Sequence, residues 1–185
     1  MTLVTELDLD APPEWRPAPM PGANQPLAVV RLASPRDRFS IHGQFPRGFE
    51  RVVAGGYAAA EEFLVLEGEL ELEGVLYGRG HLTVVPAAYP RTAMRAPDGC
   101  RVLAWFGGLP EFLPHDELPL CEGTIESVHV DTAAQLPCSP IASWARGAVP
   151  EGAGEVELVT AGLDRWSRAA GIEPGARDLV RRERR

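Results

Sequence analysis

The chain has 185 residues and a formal net charge of −8, and all 18 of its basic residues are arginine. That acidic balance argues against nucleic acid or an anionic membrane as a partner, and the 45% hydrophobic content excludes a disordered chain. The 19 glycines and 18 prolines imply many turns and short strands rather than long helices.

Residues 1–26 are expected as an N-terminal arm. The stretch APPEWRPAPMPGANQP is too Pro-rich for regular helix and is read as extended chain anchored by Trp15. The start, MTLVTELDLD, lacks a basic region followed by an apolar run, and no apolar run reaches the ~18 residues of a membrane span, so a cytoplasmic location is expected. LAVVRLAS (27–34) and DRFSIHGQF (37–45) read as paired strands across a turn at Ser34–Asp37. Ser40, His42 and Gln44 share one parity on the second strand. That polar face lines a cavity in one reading and is an outer face in the other.

After an irregular Gly-rich stretch, GELELEGVLYGRG has period two: Leu70 and Leu72 alternate with glutamates, so one face is buried and the other is wet. HLTVVPAAYPRTAMRAPDGCRVLAWFGG continues as short strands separated by Pro and Gly turns. Many short strands at this spacing predict an all-β antiparallel barrel or jelly roll over residues 27–110. Residues 111–185 are expected as a C-terminal extension with extra strands and one short helix in LDRWSRAAG. A loose echo between 7–34 and 128–162 raises a truncated second repeat as one reading. The end, ARDLVRRERR, reads as a charged, frayed tail.

Three cysteines without CxxC spacing make neither a disulfide framework nor a zinc site, and there is no P-loop, GxGxxG, GxSxG or HExxH.

Gly48, Glu61 and Gly68, followed by Gly80 and Pro86, resemble the two spaced motifs of the cupin superfamily. The phrase EEFLVLEGELELEG with PDGC downstream is similar to the ChrR-like cupin subgroup, and the resemblance spans about 27–107. It implies a cupin-type barrel with a Pro-rich arm, dimerisation through sheet edges, and a metal held by three His and one Glu. The histidines are missing. The first two positions fall on Ala54 and Gly56 or on Gly55 and Tyr57, depending on the spacer, and the third is Arg91. Ala88 and Arg95 replace the second motif's Gly and Asn. A permanently charged guanidinium repels a divalent ion, so no metal and no cofactor are expected.

The expected site is Glu61 as acid or base and Arg91 as a binder of an anionic or carbonyl oxygen, set against a structural ion pair that replaces the metal. Tyr57, Tyr89, His42, Gln44 and Trp105 are candidate substrate-binding groups. Three functional readings remain open. One is a metal-independent isomerase, cyclase, epimerase or lyase of specialised metabolism acting on a small organic molecule. The second is a non-catalytic ligand-binding or sensor module, the direction in which the ChrR-like resemblance points. The third is an unusual metal site built from His42 and Glu61. The expected partners are a small-molecule ligand and a second copy in a homodimer, with no nucleic acid and no membrane.

Overall fold

The computed structural model describes residues 4–11, 14–150 and 154–184. Pro12 and Pro13 of the Pro-rich stretch, 151–153 of the echoed segment and Arg185 of the charged end lie outside the described residues.

The N-terminal stretch supplies β1 (Glu6–Asp8) and β2 (Arg16–Ala18). The next strands are β3 (Leu27–Arg31), β4 (Phe39–Phe45), β5 (Phe49–Arg51), β6 (Gly55–Tyr57) and β7 (Glu61–Leu72). They are followed by β8 (Val75–Gly78), β9 (His81–Val85), β10 (Met94–Ala96), β11 (Cys100–Phe106) and β12 (Phe112–Pro114). The remainder forms β13 (Glu126–His129), β14 (Ala142–Arg146), β15 (Glu155–Val159), β16 (Arg165–Ala170) and β17 (Leu179–Glu183). No described helix is long and apolar enough to cross a membrane.

The protein is all-β, as expected of a barrel or jelly roll, and the described sheets do not close into a barrel. Strand order in the main sheet is β13-β9-β7-β11-β4-β3-β2. A second group, β5, β10 and β8, joins it through β7, whose first half pairs with β9 and β11 and whose second half pairs with β8 and β10. One twelve-residue strand thus belongs to both walls of an open sandwich. Phe63, Val65, Leu70, Leu72, Met94, Val102 and Phe106 fill the space between the walls.

The turn of β7 from one wall to the other passes through Gly68. Its φ is +71°, and a Cβ there would collide with the Gly99 carbonyl oxygen. Left-handed backbone alone costs an L-residue about 1–2 kcal/mol. Gly68→Ala is therefore expected to lower stability by at least ~2 kcal/mol, read as a shift in urea midpoint at unchanged slope.

A third sheet, β1-β16-β15-β17-β14, packs against the outer face of the main sheet. Leu64, Leu66, Leu82, Leu103 and Trp105 of the main sheet meet Leu7, Val159, Trp166 and Leu179 of this one. LDRWSRAAG, expected as a helix, forms β16 instead: Trp166 alternates out of phase with Arg165 and Ser167 and points into the seam. Pairing on both flanks, with β1 and β15, overrides a pattern whose period is ambiguous over so short a run.

Candidate functional site

Alternation on β7 decides which carboxylate faces which side. Glu61, Phe63 and Val65 point between the two walls, whereas Glu62, Leu64 and Leu66 point to the third sheet. Arg91 stands in the loop after β9, and its backbone is pinned by a two-way bridge to Gly55, with Arg91 N to Gly55 O at 2.7 Å and Gly55 N to Arg91 O at 3.0 Å. Ala88, at the motif's glycine position, holds φ at +56°, and its N–H donates to the Tyr57 carbonyl at 2.8 Å. This loop geometry brings Arg91 Nη2 to 2.7 Å from Glu61 Oε2, with side chains 1% and 9% exposed. The contact is ionic and not an aligned hydrogen bond: Oε2 has no donor in hydrogen-bond geometry, and neither do Arg91 Nε and Nη1 an acceptor.

Tyr57 lies between this pair and an apolar cavity. Its ring is 4.8 Å from Arg91 Cζ and packs edge-on against Phe106 and Phe112. Burial, followed by the Glu61 charge, pushes its hydroxyl above the ordinary value near 10, so Tyr57 is a neutral donor at physiological pH. The cavity, about 160 Å³ and partly open to solvent, is lined by Met20, Val29, Phe39, Ile41, Tyr57 and Phe106. Tyr89 packs partly buried against the same interior, its N–H on the Pro86 carbonyl at 3.3 Å.

Three expected binding residues face away from this interior. On β4, Ile41 and Phe45 point inward and His42 and Gln44 outward. His42 is buried under the Trp15 ring at 4.8 Å with neither ring nitrogen hydrogen-bonded, and Gln44 lines a surface groove beside Trp15 and Arg16. Trp105 points into the seam, where its indole N–H donates to Glu157 Oε2 at 2.6 Å. The outer face of the main sheet is covered over His42 and Trp105, which are therefore buried without facing the interior, and Gln44 is exposed at its edge. His42 and Glu61 lie on opposite faces, which removes the metal site proposed from that pair.

Sequence reasoning missed Arg51. Phe49 and Arg51 on β5 point inward while Glu50 points out to Arg95 at 2.8 Å. Arg51 is 2% exposed, its Nε donates to the Pro21 carbonyl at 2.8 Å, and its Cζ sits 3.7 Å over the Phe112 ring. Burial pulls its pKa downward, and so does Arg91, while Tyr57 and Glu61 oppose. The alternation in Phe-Glu-Arg carried the signal.

The metal implied by the sequence resemblance does not fit this donor set. Among the described residues no group of three or more His, Cys, Asp or Glu is placed to hold an ion, and the one inward carboxylate faces two guanidinium cations.

No protein-family model and no curated protein sequence matches the chain. Among solved structures it is similar to a protein assigned as a dioxygenase from Nostoc punctiforme PCC 73102, with TM-score 0.69 and 13% identity over 97% of this chain and 82% of that one. It is also similar to protein Ylba from E. coli, with TM-score 0.56 and 10% identity over 97% of this chain and 90% of that one. A third is assigned as an acetylacetone dioxygenase from Methylibium petroleiphilum PM1, with TM-score 0.50 and 15% identity over 62% of this chain and 83% of that one. At these identities the likeness is one of architecture, and the chain shares its overall fold with these proteins.

Proposed function

We propose that the chain binds a small organic molecule between the two walls joined by β7 and moves a proton on it without a metal. The observation that carries this reading is the buried Glu61–Arg91 contact at 2.7 Å, which puts a base and an oxygen-binding cation side by side. Glu61 takes a proton from a carbon next to a carbonyl. Arg91 holds the oxygen on which the electron pair then rests, and the proton returns at the same or a neighbouring atom. Return to the same carbon from the other face is epimerisation. Return to a neighbour is isomerisation, and departure of a leaving group with the electron pair is elimination. Tyr57, held neutral, is a donor beside this pair. A guanidinium suits the task because it remains charged and forked at any working pH.

Incubating the protein with 2-oxo and 3-oxo acids in D₂O tests the reading by NMR. Deuterium is expected at the carbon next to the carbonyl, and Glu61→Gln is expected to slow its entry at least ~100-fold while the variant stays folded. Equal exchange with wild type and Glu61→Gln protein would remove Glu61 from the chemistry.

A second reading, ligand binding without turnover, is favoured by the enclosure of the pair, with Arg91 only 1% exposed. It expects saturable binding with no deuterium entry.

A further inference from the structure

The interior holds one more positive charge than negative. Arg51 and Arg91 are 2% and 1% exposed, and Glu61 is the one carboxylate in contact with either among the described residues. Glu73 acts on Arg91 from farther off, and its oxygens are already taken by Thr92 and Ala93 at 2.6–2.9 Å. Three guanidinium nitrogens, Arg51 Nη2 and Arg91 Nε and Nη1, have no hydrogen-bond partner among the described residues. A buried charge is stable only when paired and hydrogen-bonded, and neither guanidinium can shed its proton to escape that rule. Glu61 cannot neutralise both.

Arg51 and Arg91 are close enough to feel each other's charge, and the Tyr57 ring beside Arg91 is also a wall of the apolar cavity. Phe112 lies under Arg51 and Tyr57 lies beside Arg91, with their centroids 5.7 Å apart, and Tyr57 forms a wall of the 160 Å³ space beyond. That space is largely apolar and partly open to solvent, and its volume is of the order, about 150 Å³, that accepts a benzene-sized molecule. Building on the reading of this interior as a small-molecule site, we infer that Arg51 and Arg91 together hold the carboxylate of a compact organic monoanion, whose apolar body, no larger than one aromatic ring, lies past Tyr57. Two forked cations around one carboxylate give it directional, charge-assisted hydrogen bonds in a place where water competes poorly. Arg91 has two unpaired nitrogens, so it can share the carboxylate with Arg51 and still hold a neighbouring carbonyl oxygen.

Thermal unfolding in the presence of formate, butyrate and benzoate, and of butyramide and benzamide, at fixed ionic strength, tests this. One or more of the acids is expected to raise the melting temperature saturably, with one-to-one stoichiometry by calorimetry, and the amides to leave it unchanged. Arg51→Gln and Arg91→Gln are each expected to weaken the apparent affinity at least tenfold. Arg51→Lys, which keeps the charge and loses the fork, should fall between, and Arg47→Gln, at an exposed position, should bind as wild type does. Equal stabilisation by acids and amides, or undiminished binding by Arg51→Gln, overturns the inference. Amides bound alone, with Glu61-dependent deuterium exchange intact, would remove the anion and leave the proton-transfer reading standing. No binding and no exchange would remove both.

Discussion

Replacing Arg181 by Met is expected to destabilise the protein by about 3–5 kcal/mol. In a chain of this length that corresponds to a fall in melting temperature on the order of 10 °C. Arg181 Nε lies 2.7 Å from Glu62 on β7 and its Nη1 lies 2.7 Å from Glu157 on β15, all three side chains being at most 2% exposed. Trp105 and Trp166 donate to Glu157 at 2.6 and 2.9 Å, and Trp144 donates to Glu62 at 3.0 Å. Burial works against the Arg181 charge, but Glu157 and Glu62 outweigh it and hold the guanidinium above its ordinary value. Removing it leaves two buried carboxylates across the seam with indole donors and the more distant Arg168 at 3.6 Å. Breaking such a cluster from one side is far more damaging than replacing all of it. The triple variant Glu62→Gln, Glu157→Gln, Arg181→Met is therefore expected to recover much of the loss. Calorimetry of the two variants checks both statements. An Arg181→Met melt within about 2 °C of wild type would mean that the seam does not depend on the cluster.

The second large effect is a loss of stability on mild acidification, centred on His42. Its pKa is pushed down from 6.5 to about 4, first by burial and then by the Arg101 charge, with Asp10 opposing. The depressed value means that the unfolded chain binds the proton first as pH falls. Stability is therefore full above about 6.5, declines as pH falls towards 4 and levels off below that. Between pH 7 and pH 5 the loss is roughly 2 kcal/mol, and over the whole window about 3 kcal/mol. The groups around the ring are Trp15 above it, Arg101 bound to the Leu9 carbonyl and to Asp10 and Glu67, and the hydrophobic seam. Among the described residues none offers His42 a hydrogen bond. His42→Phe, which keeps a flat ring under Trp15, is expected to flatten the urea midpoint between pH 7 and 5 by that amount. An identical pH dependence in both proteins would place the acid sensitivity elsewhere.

The interior pair was legible because the resemblance in motif spacing singled out Glu61 and Arg91, and parity on β7 sends Glu61 inward. The period-two signal was clean only where one face meets water, as in Glu69–Leu72. On β4 and β11 both faces are buried, so Ser40, His42 and Trp105 carry no mark of which side they occupy. Their assignment depends on the third sheet, which is built from residues far away in sequence. The Phe49–Arg51 alternation was readable, but a charged residue at an inward position invites the opposite guess. Strand β16 was hidden because its Trp, Arg and Ala pattern fits either period over six residues.

Glu61 and Glu62 are neighbours on one strand, and each is clamped to an arginine on a different side. All four tryptophans of the chain lie on the outer side: three donate to the two carboxylates of the seam, and Trp15 covers His42. The Trp144 indole is therefore bonded to the residue next to the interior carboxylate. An event that pulls Glu61 acts on the backbone carrying Glu62, and a change in Trp144 emission is the expected readout. The fold thus supplies its own optical gauge for ligand titrations, with no label attached.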